Sequence, residues 1–154
     1  MHLFEENIKN LGLNIPDLPK ALANYVPYKI VGKTMYISGQ APVKNGELIY
    51  KGKVGSDITV EDGIEAAKLC VTNIIAVVKT GLKGDWDKLD SFVKLTGFVN
   101  CEGSFTDQPK IINGASDLLV DIFGDQGRHT RVAVGSNALP LGIAVEIDAL
   151  IQLK

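Results

Sequence analysis

The sequence is poor in the residues from which specialised sites are usually built. In 154 residues it holds two cysteines, two histidines and one tryptophan, and aromatic residues make up 6%. Cys70 and Cys101 are too few for a disulfide framework, and they read as reduced thiols of a cytoplasmic protein. His2 and His129 stand far apart and add no clustered ligand set, so no metal is expected. Neither sign of charge dominates. Sixteen basic residues against eighteen acidic ones give a net charge of −2. No basic excess exists to hold a phosphate backbone, which argues against a nucleic-acid partner. No apolar run reaches the roughly 20 residues of a membrane span, so no membrane is expected. Met1 to Glu6 has neither the basic nor the apolar part of a secretory leader. A Gly-x-Ser-x-Gly elbow is absent. The glycines of Gly46 to Lys53 are spaced wrongly for a phosphate loop, and Val54 stands where a hydroxyl would hold magnesium. No cofactor is therefore expected.

What is present is an ordinary globular composition, 45% hydrophobic and 22% charged, enough for one domain. Residues 1–23 are set apart as an N-terminal extension: a short helix over Glu5 to Leu11, stopped by Gly12, then breaks at Pro16 and Pro19. Residues 24–154 form the domain. Tyr28 to Gln40 reads as strand with a turn at Gly32-Lys33, and Asn45-Gly46 marks a hairpin. Thr59 caps a long helix whose stripe is Ile64, Ala67, Val71, Ile74, Val78 and Leu82, with Gly81 at its end. A strand over Ser91 to Asn100 precedes a second helix, which starts near Asp107 with Pro109 in its first turn and ends at Gly124. Strands over Val132 to Leu139 and Ala144 to Leu153 close the chain, with Leu139-Pro140-Leu141-Gly142 read as the hairpin between them. The fold class is α+β: a single mixed sheet with two amphipathic helices packed on one face.

Two stretches carry a resemblance. Asn24-Tyr25-Val26-Pro27-Tyr28 runs on to Ile37-Ser38-Gly39-Gln40-Ala41-Pro42, and Arg131-Val132-Ala133-Val134 is followed by Leu139-Pro140 and Val145-Glu146-Ile147-Asp148-Ala149. Both, at these spacings, resemble the signatures of the RidA (YjgF, or liver perchloric-acid-soluble protein) family across about residues 24 to 153. Ile112 to Asp117 and Gly127 to Arg131, with the N-terminal extension, are similar to a less-studied subgroup. The resemblance implies a chorismate-mutase-like fold, a homotrimeric barrel with ligand clefts between subunits, and hydrolysis of reactive imines and enamines to 2-oxo acids and ammonia.

Carried over by position, Arg131 matches the arginine that grips a substrate carboxylate, a task suited to its planar fork. Glu146 matches the glutamate that positions or activates water. Tyr25, Ser38 and Gly39 match positions lining the cleft, and Asn113 stands near a family helix asparagine, although on the wheel it joins Asp117 and Asp121 in a solvated stripe. Read without the family, Arg131 is a surface arginine and Glu146 the outer face of an alternating strand. Ala133 departs from the cysteine frequent in the family's deaminases, and His129-Thr130 replaces its Pro-Ala. His129 reads as an exposed loop residue or as a new hydrogen-bonding group in the cleft. The readings are an imine deaminase acting on a small carboxylate-bearing ligand, a trimeric binding or regulatory module for 2-oxo or amino acids, and an endoribonuclease, which the charge disfavours. Arg131 and Glu146 are expected to share one cleft through an antiparallel pairing of the last two strands.

Overall fold

Apolar periodicity decides the layers. The structure, a computed structural model, describes residues 1–18 and 23–154. The break expected at Pro19 lies outside the described residues. The strands β1 (Tyr28–Val31), β2 (Thr34–Gln40), β5 (Leu89–Asn100), β6 (Thr130–Ser136) and β7 (Val145–Leu153) form one five-stranded sheet in the order β1-β2-β7-β5-β6. The helices α2 (Val60–Gly81) and α3 (Gln108–Phe123) cover one face of it. A small hairpin, β3 (Val43–Lys44) and β4 (Glu47–Leu48), turns at Asn45-Gly46, both at positive φ as such a turn requires. Thr59 caps α2, its hydroxyl accepting from the Asp62 N–H at 3.1 Å.

β7 has the cleanest alternation and takes the centre. Val145, Ile147, Ala149 and Ile151 lie against the helices with almost no exposure. Glu146, Asp148 and Leu150 face the uncovered side of the sheet, together with Phe98, Val132 and Val134. β7 is antiparallel to both β2 and β5, whereas β5 and β6 are parallel and joined through α3.

This order corrects the reading of the last two strands as a hairpin. β6 ends at Ser136, and β5 stands between it and β7. The segment from Asn137 to Ala144 steps over the end of β5 instead of folding back. The step is fastened by polar groups from elsewhere. Lys53 Nζ donates to Asn100 Oδ1 and to the carbonyls of Cys101 and Asn137. Asn100, itself buried, donates its amide to the Ile143 carbonyl at 3.1 Å. Ala144 N–H finds the Tyr50 carbonyl, and Leu141 and Gly142 turn the chain at positive φ. A two-strand ladder would have satisfied the same backbone groups, but it would have left the apolar edge of β5 uncovered.

The N-terminal helix α1 (Leu3–Asn10) docks on the domain. Phe4 and Ile8 are buried in the common core, with Phe4 edge-on to Phe123 at a centroid distance of 4.9 Å. Glu5 accepts from Trp86 Nε1 at 2.8 Å and pairs with Lys79 at 3.0 Å. Asn7 Nδ2 donates to the Ile122 carbonyl at the end of α3. Phe4→Ala should therefore lower the unfolding free energy by about 3–5 kcal/mol, the usual effect of emptying a buried phenylalanine site. Urea melts of both forms measure it, and coincident curves would show that α1 adds nothing to the core.

Candidate functional site

The chain's two arginines, Arg128 and Arg131, have opposite surroundings. Arg128 is exposed and pairs with Asp125 at 3.2 Å, an ion pair of the weak surface kind. Arg131 sits in β6 opposite Leu95, a core residue, so its side chain points to the helix face of the sheet. There Nη1 donates to Ser116 Oγ at 3.1 Å and Nη2 faces the Pro109 carbonyl at 3.4 Å, both on α3. Among the described residues no carboxylate lies within 4.0 Å of it. Arg131 is thus a half-buried cation aligned by neutral oxygens, with three of its five N–H groups left for an anion.

Behind it stands His129. Its Nε2 lies 2.9 Å from Ser116 Oγ and its Nδ1 lies 2.7 Å from the Gly127 carbonyl. The exposed-loop reading of His129 is thereby corrected, since the ring is half-buried and bonded at both nitrogens. Gly127 must be glycine, because a Cβ there would come within 2.2 Å of the Leu119 carbonyl oxygen.

The second half of the site lies on the other side of the sheet. A bulge between Ile37 and Gln40 lifts Ser38 and Gly39 out of register with β7. Gly39 then lies against Glu146 so closely that an added Cβ would be 2.9 Å from Oε1. Ser38 Oγ donates to the Val26 carbonyl at 2.7 Å, and its N–H donates to Pro27, which seats the segment carrying Tyr25. Tyr25 is 61% exposed. Glu146 is half-buried and has no cation beside it among the described residues. Burial raises its pKa, and the charge of Asp148, two residues along the same face, raises it further.

Within one chain the two halves do not meet. Glu146 pairs with Phe98 in β5 and points to the open face, whereas Arg131 points to the helices one strand further over. The expectation of a shared cleft inside one chain is corrected by the interposed β5. Asn113 is exposed on α3, in a groove with Ile64, Glu65 and Lys68 of α2, and makes no bond to Arg131. Ser116 takes that role, a residue the sequence reading did not single out. Its signal was its place within the atypical Ile112 to Asp117 stretch.

The cysteines take no part in either half. Both are buried and unpaired. Cys70 Sγ donates to the Val145 carbonyl, and burial first, then the charge of Glu146, push its thiol well above the usual range. Among the described residues no three His, Cys, Asp or Glu side chains gather as a metal site, and no helix is long and apolar enough to cross a membrane.

Residues 5–151 match the family described as "YjgF/chorismate mutase-like, putative endoribonuclease". The chain belongs to the YjgF/RidA family. Its sheet and two helices form the chorismate-mutase-like fold, and the match takes in most of α1. Protein TCP17 of Trypanosoma cruzi is 40% identical over 149 residues, 96% of this chain and 92% of that protein. The crystal structure of Atu1372 from Agrobacterium tumefaciens, a protein of unknown function, is 42% identical with a TM-score of 0.92, covering 99% of this chain and 93% of that one. E. coli TdcF, solved with bound serine, is 26% identical with a TM-score of 0.62, covering 87% and 91%.

The raised pKa of Glu146 fixes the sign of a stability effect. The native state holds the Glu146 proton more tightly than the unfolded chain does. Ionised Glu146 therefore costs stability above its native pKa, and the cost vanishes below the unfolded value. Glu146→Gln should be more stable than wild type at neutral pH, and the advantage should fade as pH falls through the carboxylate range. Thermal melts against pH check it; an advantage that grew with acid would reverse the assignment.

Proposed function

We propose that this protein hydrolyses small 2-imino and enamine acids to 2-oxo acids and ammonia, as a ring of three copies. Each cleft of the ring joins Arg131 of one copy to Glu146, Gly39, Ser38 and Tyr25 of the next. The observation that carries this reading is Arg131, a half-buried guanidinium aligned by Ser116 and Pro109 with no carboxylate beside it. Such a cation is suited to the carboxylate of a small ligand. The amino-acid-bound relative TdcF supports the ligand class. The uncovered sheet face supports association, since Tyr36, Val132 and Val134 are 50, 40 and 39% exposed on it, and among the described residues β1 and β6 each pair with a strand on one side only. A head-to-tail ring joins the two unlike edges of the chain.

The chemistry needs little beyond positioning. A protonated imine carbon is already electrophilic, and Arg131 would hold the carboxylate next to it. Glu146, its pKa raised, would take a proton from the attacking water and pass it to the departing nitrogen. The C–O bond forms; as the C–N bond breaks, the new hydroxyl gives up its proton, the carbonyl is released, and the nitrogen leaves as ammonium carrying both protons of the water. An enamine first takes a proton at its terminal carbon and then follows the same course. The unpaired thiols support a reducing compartment, the cytoplasm. Ala133, where the family's deaminases often carry cysteine, favours a second reading: a trimeric module that binds 2-oxo or amino acids without turnover.

The test is an imine-hydrolysis assay, with an amino-acid oxidase generating the imines, alongside 2-oxo-acid binding. Arg131→Ala should weaken binding about ten- to a hundredfold. Arg131→Lys should also weaken it, because the charge stays but the fork is lost. Glu146→Gln should lower kcat by about 10²–10⁴ with binding largely kept. No turnover in wild type with binding intact selects the module instead. Light scattering should report three chains per particle, and a monomer with full activity would overturn the shared cleft.

A further inference from the structure

With the His129 ring neutral, hydrogen counting around Arg131 leaves one consistent arrangement. A guanidinium only donates, so Ser116 Oγ accepts from Nη1. A carbonyl only accepts, so His129 Nδ1 carries the hydrogen directed at Gly127. In the neutral ring Nε2 is then bare, and the Ser116 hydroxyl donates to it. The serine therefore turns its hydrogen to His129 and its lone pairs to the arginine. Each bond polarises the next in the same direction.

The backbone holds this line in place. His129 immediately precedes β6 and Arg131 is its second residue, and both reach α3, while Thr130 Oγ1 donates to the Val93 carbonyl. Gln126 donates to the carbonyls of Leu89 and Asp90, both at 2.9 Å, and anchors the turn that supplies the Gly127 carbonyl.

We propose that Ser116 and His129 are positioning residues for Arg131, setting the direction of its fork toward a carboxylate. The inference rests on the reading of Arg131 as the carboxylate grip and adds the residues that aim it. Without His129 the Ser116 hydroxyl loses its acceptor. It is then free to rotate its hydrogen toward the guanidinium, where two donors oppose each other. Without Ser116 the Nη1 group loses its fixed partner, and the fork samples several directions.

The measurement is the affinity of 2-oxobutyrate and of its neutral amide for the full-length protein and its variants. Ser116→Ala and His129→Phe should each weaken 2-oxobutyrate about three- to tenfold, the effect of one hydrogen bond, and leave the amide within twofold. Ser116→Thr, which keeps the hydroxyl, should restore the acid to near wild type. The double variant should lose no more than Ser116→Ala alone, because His129 acts through the serine. Nitrogen NMR of the His129 ring should show the hydrogen on Nδ1 in wild type, a readout independent of any ligand. Equal loss for acid and amide, additive losses, or a ring with its hydrogen on Nε2 would overturn the proposal. If Arg131→Ala itself bound 2-oxobutyrate like wild type, the grip would be misassigned and the proposal would fall with it. If Arg131→Ala lost binding while both positioning variants kept it, the grip would stand and this proposal alone would fail.

Discussion

The placement of β5 between β6 and β7 is the constraint from which the rest follows. It covers both edges of the sheet's longest strand and lets β7, alternating most cleanly, occupy the centre. It also forces the chain to cross the end of β5, where no ladder is available to satisfy backbone groups. Lys53 and Asn100 supply the missing partners there, one through an ammonium with three oxygens about it, the other through a buried amide. These two side chains fix where β7 begins, and hence where Glu146 stands.

The same placement separates two charges of opposite sign. Arg131 is left on the helix side of an edge strand, and Glu146 on the open side near the centre. Each lacks a counter-ion among the described residues. Arg128 and Glu5 show the alternative, with Asp125 and Lys79 beside them. The hydrogen bond from Trp86 and the nearby Lys79 hold the Glu5 carboxyl below its ordinary range against the opposing effect of burial, whereas nothing offsets the burial of Glu146. A chain keeps an uncompensated half-buried charge at a cost in stability, and a site for ligands is a common return on it.

Much of the architecture was legible because it depends on local chemistry. Thr59 with Asp62, Asn45-Gly46, Pro109 at the start of α3 and Gly124 at its end each act within a few residues, and each stands where the sequence put it. The apolar stripes of α2 and α3 and the alternation of β7 gave the two layers, since period alone says which side of an element must be buried. The motif positions were legible too, since Arg131 lies in β6 and Glu146 in β7 as strand residues.

Strand neighbours were not legible. A short Leu-Pro-Leu-Gly link between two strands looks like a hairpin, because hairpins are what short links usually make. Which strand lies beside which depends on the total apolar edge covered across the whole sheet, and no window of sequence contains that quantity. The partners of Arg131 were hidden for the same reason. Ser116 is 15 positions away in α3, and only the packing of that helix on β5 and β6 brings its hydroxyl to the guanidinium. Sequence by itself determined which residues form helix and strand, and which side of each is apolar, through interactions spanning a turn or a pleat. Tertiary structure alone decided that Arg131 and Glu146 face opposite ways, because the sign of a side chain's direction is set by the strand's neighbours in the sheet and by the face the helices cover.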